Sequence, residues 1–316
     1  MKIAIAGEGA FGVKHLEAIA AIEGVEAASL AGGEPAATRA MAERFGIPHW
    51  TTDLADCLAR PEIEAVILAT PTPLHASQAI QCLEAGKAVQ VEIPMADNLA
   101  DAARLVETAA RTGLVAMAGH TRRFNPSHQW IHQRVRAGEL KIQQMDVQTY
   151  FLRRSNINAL GQPRSWTDHL LWHHAAHTVD LFQHQTGQAI TTARALQGPI
   201  HPELGIAMDM SIQLQTGSGV IGALSLSFNN DGPLGSVFRY ICDNGTYVAR
   251  YDDLEDGWGK PIDLSGVAVS MNGIELQDRE FFSAVRERRA PMASVAEVFS
   301  AYQTLDWLGR DLIWFQ

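Results

Sequence analysis

Side chains that can transfer protons or bind anions are concentrated in the middle third of this chain of 316 residues. Eight of its 12 histidines lie between His120 and His184, and seven of its arginines lie between Arg122 and Arg164. Guanidinium groups bind carboxylates through paired hydrogen bonds, a task for which arginine is better suited than lysine. An acidic chain, of net charge −10, that gathers these residues is predicted to bind an anionic substrate there, with a solvated basic face as the alternative.

A second chemical feature stands at the start of the chain, where Gly7, Gly9 and Gly12 follow the apolar run Lys2–Ala6 at GxGxxG spacing. The first glycine permits a tight strand-to-helix turn, the second lets the backbone approach a pyrophosphate, and the third lets helix and strand pack closely. N–H groups and the helix dipole then face the anion. We therefore predict a dinucleotide site, against the alternative of a glycine-rich turn in an ordinary α/β protein.

The composition excludes several classes of protein. A hydrophobic content of 47% with 19% charged residues is typical of a soluble globular chain, and the net charge of −10 argues against a general nucleic-acid surface. No apolar run reaches the roughly 20 residues that span a bilayer, and no signal-peptide pattern is present. Because Cys57, Cys82 and Cys242 form no CxxC pair, neither a disulfide framework nor a structural zinc is indicated. We expect a reduced cytoplasmic protein that binds neither nucleic acid nor membranes.

The first half of the chain alternates strand and helix patterns, which would position the glycine motif. The predicted strands are Lys2–Ala6, Val25–Ala31, Ala65–Ala69, Ala88–Val91 and Leu114–Ala118, and the predicted helices are Val13–Ile22, Ala36–Phe45, Leu54–Leu58, Pro73–Ala85 and Asn98–Thr112. Strands separated by helices predict an α/β fold with a doubly wound parallel sheet of Rossmann type. We assign residues 1–119 to this dinucleotide-binding domain.

The second half has longer strand patterns with period-two alternation. The predicted strands are Lys141–Phe151, Ala207–Leu214, Val220–Phe228, Val237–Cys242 and Thr246–Tyr251, and the predicted helices are Pro126–Arg136, Trp172–Gln185, Asn272–Arg286 and Ser294–Trp314. Asp243-Asn244-Gly245 marks a hairpin turn. Residues 120–316 are therefore predicted to form an α+β domain with a large, predominantly antiparallel open sheet. Because one face of that sheet needs a cover, we also expect a homodimer.

Four segments are predicted where strand ends meet loops, the place where doubly wound folds bind ligands. They are Ala69–His75, Val91–Pro94, Gly119–Phe124 and His173–Asp180. Together with the N-terminal glycines, they resemble the glucose–fructose oxidoreductase/inositol dehydrogenase (Gfo/Idh/MocA) family along the whole chain. The resemblance implies a Rossmann domain, a substrate domain with a large open sheet, and hydride transfer between a nicotinamide and a carbinol carbon.

The chain departs from the family pattern at two positions. The family usually has Glu-Lys-Pro, with lysine as the acid/base, where this chain has Glu92-Ile93-Pro94. The family's D-x-G-x-H-x-x-D becomes His173-x-Ala175-x-His177-x-x-Asp180, so an aspartate is replaced as well. Either the chain is catalytically dead, or its substrate hydroxyl ionises more easily than that of a sugar alcohol.

Six segments resemble one branch of the family more closely, namely residues 119–129, 142–151, 164–182, 198–214, 224–235 and 269–281. The resemblance implies oxidation of a cyclic hemiacetal of a dicarboxylic semialdehyde, formed in protocatechuate 4,5-cleavage, to a lactone. A hemiacetal hydroxyl is more acidic than a sugar alcohol, so a neutral histidine suffices as the base, and a dicarboxylate explains the arginines. The alternatives are a sugar or inositol dehydrogenase of the same family and a non-catalytic cofactor-binding regulator.

The family pattern also implies roles for the histidine segment. His177 matches the family histidine and is the expected general base. His173 replaces the family aspartate and is the second candidate, either as a base or as a donor to a substrate carboxylate. Asp180 could orient His177, although a helix cap or an ion pair explains it equally well. No metal is expected, because His173 and His177 would supply only half of a zinc site.

The remaining candidates bind substrate or cofactor. The substrate candidates are Arg122, Arg123, Arg153, Arg154, Arg164, His173 and Asn229, and the cofactor candidates are Gly7, Gly9, Ala10, Phe11, Gly12, Thr70, Pro71, Thr72, His75, Glu92, Ile93, Arg122 and Trp166. Trp166 would cover the nicotinamide ring or belong to the core. The segment Leu30-Ala31-Gly32-Gly33-Glu34 has no acid at the strand tip for a ribose 2′-hydroxyl, and Arg39 is the nearest arginine for a 2′-phosphate. We therefore expect NADP as the cofactor, with NAD also used.

Overall fold

The computed structural model describes residues 1–157, 161, 163–164, 166–268, 273–310 and 312. The chain divides into two compact units. The first contains Met1–His120 and Ile274–Phe299, and the second contains residues 121–157, 166–268 and 300–310. The domain boundary predicted from the sequence lies after Gly119 and assigns all of residues 120–316 to the second domain. The structure differs because a late helix, Ile274–Glu287, packs against the first helix of the chain, Ala10–Ile19.

The first unit is built on a six-stranded parallel sheet. Its strands are β1 (Lys2–Ala6), β2 (Glu26–Ala31), β3 (His49–Thr51), β4 (Ile63–Leu68), β5 (Ala88–Val91) and β6 (Ala116–Ala118), in the order β3-β2-β1-β4-β5-β6. Strands β1, β4 and β5 are buried along almost their whole length, as expected for parallel strands that are covered on both faces. This strand order is that of dinucleotide-binding sheets and confirms the predicted Rossmann architecture.

The helices are α1 (Ala10–Ile19), α2 (Pro35–Phe45), α3 (Leu54–Leu58), α4 (His75–Glu84), α5 (Leu99–Thr112), α6 (Pro126–Arg136), α7 (Ala176–Thr186), α8 (Ile274–Glu287) and α9 (Val295–Arg310). A 3-10 turn over Thr72–Leu74 precedes α4, another covers Thr121–Phe124, and a π-helical segment over Leu170–Ala175 leads into α7. The sequence predicted one α-helix from Trp172 to Gln185, whereas the structure has two helical forms in succession there.

The second unit is built on a seven-stranded sheet. Its strands are β7 (Ile142–Tyr150), β8 (Ile190–Gln197), β9 (Asp209–Thr216), β10 (Ile221–Ser227), β11 (Gly235–Cys242), β12 (Gly245–Arg250) and β13 (Asp253–Asp256), in the order β13-β12-β11-β7-β10-β9-β8. Among the strands β7–β13 of this sheet, only β7 and β10 pair in parallel. The described part of this unit therefore confirms the predicted, predominantly antiparallel sheet.

One face of this sheet is buried and the other is exposed. Along β9, Met210, Ile212 and Leu214 are buried, whereas the intervening Ser211 and Gln213 are exposed. Side chains alternate between the two faces of a strand, so this pattern puts the apolar positions on the buried face and the polar positions on the outer face. The outer face is the surface for which the sequence predicts a cover.

None of the helices in the described part of the chain has the length and apolar composition needed to cross a membrane. The thiols of Cys57, Cys82 and Cys242 are buried and unbridged. The cytoplasmic location expected from the composition stays a prediction.

Candidate active site

The glycine loop between β1 and α1 is closely packed at two of its three glycines. Gly7 has a φ of +115°, and a Cβ atom there would lie 2.3 Å from the carbonyl oxygen of Ala69. A Cβ at Gly12 would lie 2.0 Å from the carbonyl oxygen of Gly7. Gly9, the N-cap of α1, has no heavy atom within 4 Å of a Cβ, and no side chain caps the helix there. The open, uncapped helix start at Gly9 fits the pyrophosphate of a dinucleotide.

Exposed apolar side chains accompany this loop and the loop after β4. Phe11, in the first turn of α1, is 49% exposed, and Leu74 is 44% exposed. In the loop after β4, Thr70 Oγ1 donates a hydrogen bond to Gln78 Oε1 at 2.6 Å. The side chain of Pro71 is exposed, and that of Thr72 is buried. The roles of Ala10, Phe11, Thr70, Pro71 and Thr72 at a cofactor stay predictions.

His75 is a buried residue that contacts two loops of the first unit. It is 2% exposed, and its two ring nitrogens each lie 2.7 Å from a carbonyl oxygen, that of Thr70 and that of Pro94. Burial lowers the pKa of His75, although the two carbonyl groups oppose this shift. The imidazole therefore joins the loop after β4 to the loop after β5, and its contact with a cofactor stays a prediction.

Glu92, at the end of β5, is held in a buried network of charged and amide groups. Its Oε1 atom lies 3.1 Å from His15 Nε2 on α1 and 3.4 Å from Gln277 Nε2 on α8. The other ring nitrogen of His15, Nδ1, lies 2.9 Å from Asp278 Oδ2, and Gln90 Nε2 donates to Asp278 Oδ1 at 2.7 Å. The sequence offers no signal for this network, because 263 residues separate His15 from Asp278.

The network keeps His15 protonated. Burial by itself lowers the pKa of His15, but the charge of Asp278 and the hydrogen bonds of Asp278 and Glu92 outweigh burial and raise it to about 10. For the Glu92 carboxyl group, burial has the opposite effect and raises the pKa. The hydrogen bond and the charge of His15 outweigh burial and hold the pKa of Glu92 below its ordinary value. His15 therefore donates from both ring nitrogens, and the Glu92 carboxylate stays ionised and fixed in orientation.

Two neighbours complete the surroundings of Glu92. Ile93, which stands where the family has lysine, is partly exposed. Gly119 follows β6, and a Cβ atom at that position would lie 2.6 Å from Glu92 Oε1. Glycine at position 119 therefore leaves room for the carboxylate.

In the second unit, two of the predicted arginines meet at one aspartate. Arg153 forms an ion pair with Asp168, and Arg164 Nη1 lies 3.1 Å from Asp168 Oδ2. His173 Nε2 lies 3.8 Å from the other carboxylate oxygen, Oδ1. Burial raises the pKa of Asp168, but the nearby charges of His173, Arg153 and Arg164 outweigh burial and hold it below its ordinary value. We name Arg153, Arg164, Asp168 and His173 the arginine cluster.

The arginine cluster carries more positive than negative charge. Two guanidinium groups face one carboxylate, and the side chains of Arg153, Arg164 and Asp168 are only 13%, 14% and 16% exposed. Arg153 Nη1 and Arg164 Nε are buried and have no hydrogen-bond acceptor among the residues that the structure describes. Buried N–H groups of a charged side chain favour an added anion, so the cluster is suited to a carboxylate ligand.

The contacts of His173 determine its tautomer. Its Nδ1 atom accepts a hydrogen bond from the backbone N–H of His169 at 2.8 Å, so a neutral His173 carries its proton on Nε2. Its ring stacks on the ring of Trp166, with 5.7 Å between the centroids. The Arg164 guanidinium lies 4.8 Å from the centroid of the same Trp166 ring. This geometry makes His173 a hydrogen-bond donor near Asp168. The predicted contact of Trp166 with a nicotinamide stays a prediction.

His174 and His177 lie in different environments. The ring of His174 packs against Phe151 and Phe228, and burial lowers its pKa to about 4, so it is neutral at neutral pH. His177 lies in the first turn of α7 and is partly exposed. A base must reach the proton it removes, and because His177 Nδ1 is buried, Nε2 is the ring nitrogen expected to do so.

Arg123 and Asp180 form a buried ion pair. Arg123 Nε donates to Asp180 Oδ2 at 2.8 Å and Nη2 donates to Oδ1 at 2.6 Å, and both side chains are at most 3% exposed. The pair joins the Thr121–Phe124 turn to α7. Removing one partner of such a pair typically costs roughly 3–5 kcal/mol of stability. Arg123 is therefore held in a structural ion pair, its contact with substrate stays a prediction, and for Asp180 the ion-pair alternative is the one observed.

The other substrate candidates are spread over the second unit. The Arg122 guanidinium lies 4.6 Å from the ring centroid of Tyr251, and burial lowers its pKa. Arg154 is exposed, and its Nη1 donates to Asn229 Oδ1 at 3.1 Å. Asn229 in turn donates to Asp209 Oδ2 at 2.7 Å. The structure thus brings Arg154 and Asn229 together, and Arg154 Nη1 also donates to the carbonyl oxygen of Arg153 at 3.0 Å.

Sequence reasoning missed Asp168, although it stands four residues after Arg164 and five before His173. The available signal for Asp168 was an acidic residue in a segment rich in arginine and histidine. Within the described residues, no group of three or more His, Cys, Asp or Glu side chains is arranged to hold a metal ion.

Comparisons with known proteins agree with this architecture. Residues 1–120 match an oxidoreductase family with an NAD-binding Rossmann fold, and residues 126–268 match the C-terminal domain of bacterial oxidoreductases. The chain is 63% identical over 305 residues to 4-carboxy-2-hydroxymuconate-6-semialdehyde dehydrogenase of Sphingobium sp., with 96% of each protein covered. It is 32% identical over 143 residues to scyllo-inositol 2-dehydrogenase (NAD(+)) of Bacillus subtilis, which covers 44% of this chain and 41% of that protein.

A solved structure shows the same fold over nearly the whole chain. Levoglucosan dehydrogenase in complex with NADH and L-sorbose has a TM-score of 0.86 over 98% of this chain and 96% of that chain, at 19% identity. At that identity, the likeness concerns the fold alone. The two matched domains and the near full-length relative establish that the chain belongs to the Gfo/Idh/MocA family of oxidoreductases.

Proposed function

We propose that this oxidoreductase acts on the cyclic hemiacetal of 4-carboxy-2-hydroxymuconate-6-semialdehyde and produces the lactone 2-pyrone-4,6-dicarboxylate, a step of protocatechuate 4,5-cleavage. The observation that carries the proposal is the 63% identity to the Sphingobium dehydrogenase over 96% of both proteins. The chemistry of the arginine cluster supports it, since the substrate carries carboxylates.

The reaction removes a hydride from the hemiacetal carbon and a proton from its hydroxyl group, and a carbon–oxygen double bond forms. When bound, the oxidised nicotinamide accepts the hydride. His177 is the proposed proton acceptor, because it is partly exposed on α7 and matches the family histidine. The family's lysine is replaced by Ile93, which suits a hydroxyl more acidic than that of a sugar.

The arginine cluster is the proposed site for a substrate carboxylate. Arg153 Nη1 and Arg164 Nε offer buried N–H groups, and His173 offers its Nε2–H. Asp168 keeps the cations in place, because its carboxylate is ionised and bound to both guanidinium groups. No covalent intermediate is proposed, because the three cysteine thiols are buried and the pKa of each is raised by burial.

The first unit is proposed to hold the dinucleotide through the Gly7–Gly12 loop and the ionised Glu92. The absence of an acid in Leu30–Gly33 favours NADP, as expected from the sequence. NAD is the second cofactor expected from the sequence.

We also propose that the chain forms a homodimer through the outer face of the seven-stranded sheet. Leu196 on β8 and Ile221 on β10 are 77% and 42% exposed on that face. Large exposed apolar side chains on a sheet face are typical of a protein interface.

Product analysis tests the proposed reaction. The purified protein is incubated with the semialdehyde and an oxidised nicotinamide dinucleotide, and the organic product is identified by chromatography and mass spectrometry. We expect one molecule of lactone for each reduced nicotinamide. An open-chain acid as the product, or no oxidation at all, would contradict the proposal. Oxidation of an inositol or a sugar instead would favour the alternative family activity.

A further inference from the structure

The π-helical segment Leu170–Ala175 begins with a reciprocal pair of histidine contacts. His169, its N-cap residue, has an extended backbone, and its Nδ1 atom accepts the backbone N–H of Leu171 at 3.1 Å. In return, His173 Nδ1 accepts the backbone N–H of His169 at 2.8 Å. The first N–H groups of a helix have no partner within the helix, so side-chain acceptors are needed there. Two imidazole rings provide these acceptors.

The arrangement is equivalent to a capping box. In a capping box, the side chain of the N-cap residue accepts an N–H group of the first turn, and a side chain of that turn accepts the N–H group of the N-cap residue. A histidine can act as such an acceptor only while its Nδ1 atom carries no proton. Burial lowers the pKa of His169 to about 4, so its ring is neutral at neutral pH and available as an acceptor.

The capped turn holds two members of the arginine cluster. Asp168 directly precedes His169, and its carboxylate forms ion pairs with Arg153 and Arg164. At the other end of the turn, the backbone N–H of His173 donates to the carbonyl oxygen of His169 at 2.9 Å. Because the cap uses Nδ1 of His173, Nε2 carries the proton, and it lies 3.8 Å from Asp168 Oδ1. The cap therefore determines both the position and the tautomer of His173.

We propose that His169 is a positioning residue for the carboxylate of the substrate. Its ring fixes the turn that presents the His173 Nε2–H group and the Asp168 carboxylate to the two arginines. Without the ring, the backbone N–H of the buried Leu171 loses this acceptor, and the turn is free to move away from the guanidinium groups. The proposal rests on the carboxylate site of the proposed function and adds to it a residue that the sequence did not indicate.

A second histidine of the same unit provides a matched control. His201 Nδ1 accepts the backbone N–H groups of Glu203 and Leu204 at 3.2 and 3.3 Å, in a turn that precedes β9. Its ring makes the same kind of contact as that of His169, but it is not a member of the arginine cluster. Removing the ring of His201 should therefore weaken a turn without changing the binding of substrate.

Equilibrium binding of the product lactone tests the proposal. 2-Pyrone-4,6-dicarboxylate is titrated calorimetrically into the purified protein saturated with oxidised nicotinamide dinucleotide, a mixture in which hydride transfer cannot occur. His169→Ala should weaken lactone binding by roughly 5–30-fold, which corresponds to the loss of an N-cap. KM for the hemiacetal should rise by a similar factor, whereas kcat and the dissociation constant of the cofactor should change little.

Rescue separates the contact of the ring from its bulk. Asn is a preferred N-cap residue, so His169→Asn restores an acceptor and should bring lactone binding to within about threefold of the unmodified protein. His201→Ala should bind the lactone as the unmodified protein does. Equal binding in His169→Ala and the unmodified protein, no recovery in His169→Asn, or an equal loss in His201→Ala would overturn the role of His169.

The tautomers of the two rings are measured in the unmodified protein and require no variant to be active. Nitrogen NMR of histidine-labelled protein, with resonances assigned from His169→Asn and His173→Asn, should show both rings as neutral Nε2–H tautomers at neutral pH. A proton on Nδ1 of either ring would overturn the cap. Failure of the unmodified protein to bind the lactone would instead overturn the carboxylate site of the proposed function, and the role of His169 with it.

Discussion

The environments of His173, His174 and His177 differ although these residues lie within five positions of the chain. His174 is packed between two phenylalanine rings and is neutral, and His173 is fixed by the N–H of His169 with its proton on Nε2. His177 lies in the first turn of α7 and is partly exposed, as His173 and His174 are. The residue type and spacing alone could not separate these environments, because the π-helical segment and the aromatic partners arise from the fold.

The first prediction separates the base from the carboxylate donor. Removing a general base typically lowers the rate by roughly 10²–10⁴, so His177→Ala should lower kcat by that order while the dissociation constant of the cofactor stays nearly unchanged. His173→Ala should raise KM more than it lowers kcat. Steady-state kinetics and cofactor titration measure these effects. The opposite pattern would move the base to His173, and full activity in both variants would refute the histidine mechanism.

The second prediction concerns Arg164. Arg164→Gln removes a charged donor of the arginine cluster, so KM for the substrate should rise by roughly 10–100-fold with a smaller change in kcat. Arg250→Gln is the matched control, because Arg250 forms an exposed ion pair with Glu255. Equal kinetic constants in Arg164→Gln and the unmodified protein would exclude a substrate contact for this arginine.

At the scale of elements, the sequence predicted most helices and strands and missed β3, β8 and β13. Helices α3 and α6 have the predicted bounds, and the hairpin between β11 and β12 falls at the predicted turn. Two of the missed strands, β3 and β13, have only three and four residues, respectively. β8 was missed because its buried side chains include the small Ala193 and Ala195, which give little hydrophobic alternation.

Contacts between distant elements were beyond reach of sequence patterns. The packing of α8 on α1 brings Asp278 to His15, and the turn at Thr121–Phe124 is joined to α7 by Arg123. Such contacts depend on tertiary packing and leave no periodic signal. The arginine enrichment predicts an anion site, and only the fold shows that Arg123 pairs with Asp180 whereas Arg153 and Arg164 share Asp168.

The third prediction concerns the network that joins α1, β5 and α8. The pKa of His15 is raised from 6.5 to about 10, so its protonated form contributes stability fully at pH below 6.5, and that contribution is lost as the pH rises towards 10. His15→Gln should lower the free energy of unfolding at pH 7, and the difference from the unmodified protein should shrink by pH 10. Urea unfolding at several pH values measures it. A difference that stays constant with pH would contradict a charged His15.

At the scale of the whole molecule, the outer face of the seven-stranded sheet is the proposed dimer interface. The fourth prediction is that sedimentation at micromolar concentration gives twice the 34.5 kDa mass of one chain. Ile221→Glu puts a charge on that face and should shift the protein towards monomer. Met292→Glu, at a position 40% exposed in the first unit, is the control and should leave the mass unchanged. A monomeric unmodified protein would exclude the proposed dimer.

The central claim is that the chain oxidises a dicarboxylic hemiacetal instead of a sugar or an inositol. The most direct measurement compares kcat/KM for the hemiacetal of 4-carboxy-2-hydroxymuconate-6-semialdehyde with kcat/KM for scyllo-inositol and a panel of sugars, following nicotinamide reduction by absorbance. Because the arginine cluster is the proposed site for a carboxylate, a group that polyols lack, we predict a value at least roughly 10³-fold higher for the hemiacetal. Equal or faster oxidation of scyllo-inositol or a sugar would contradict the account.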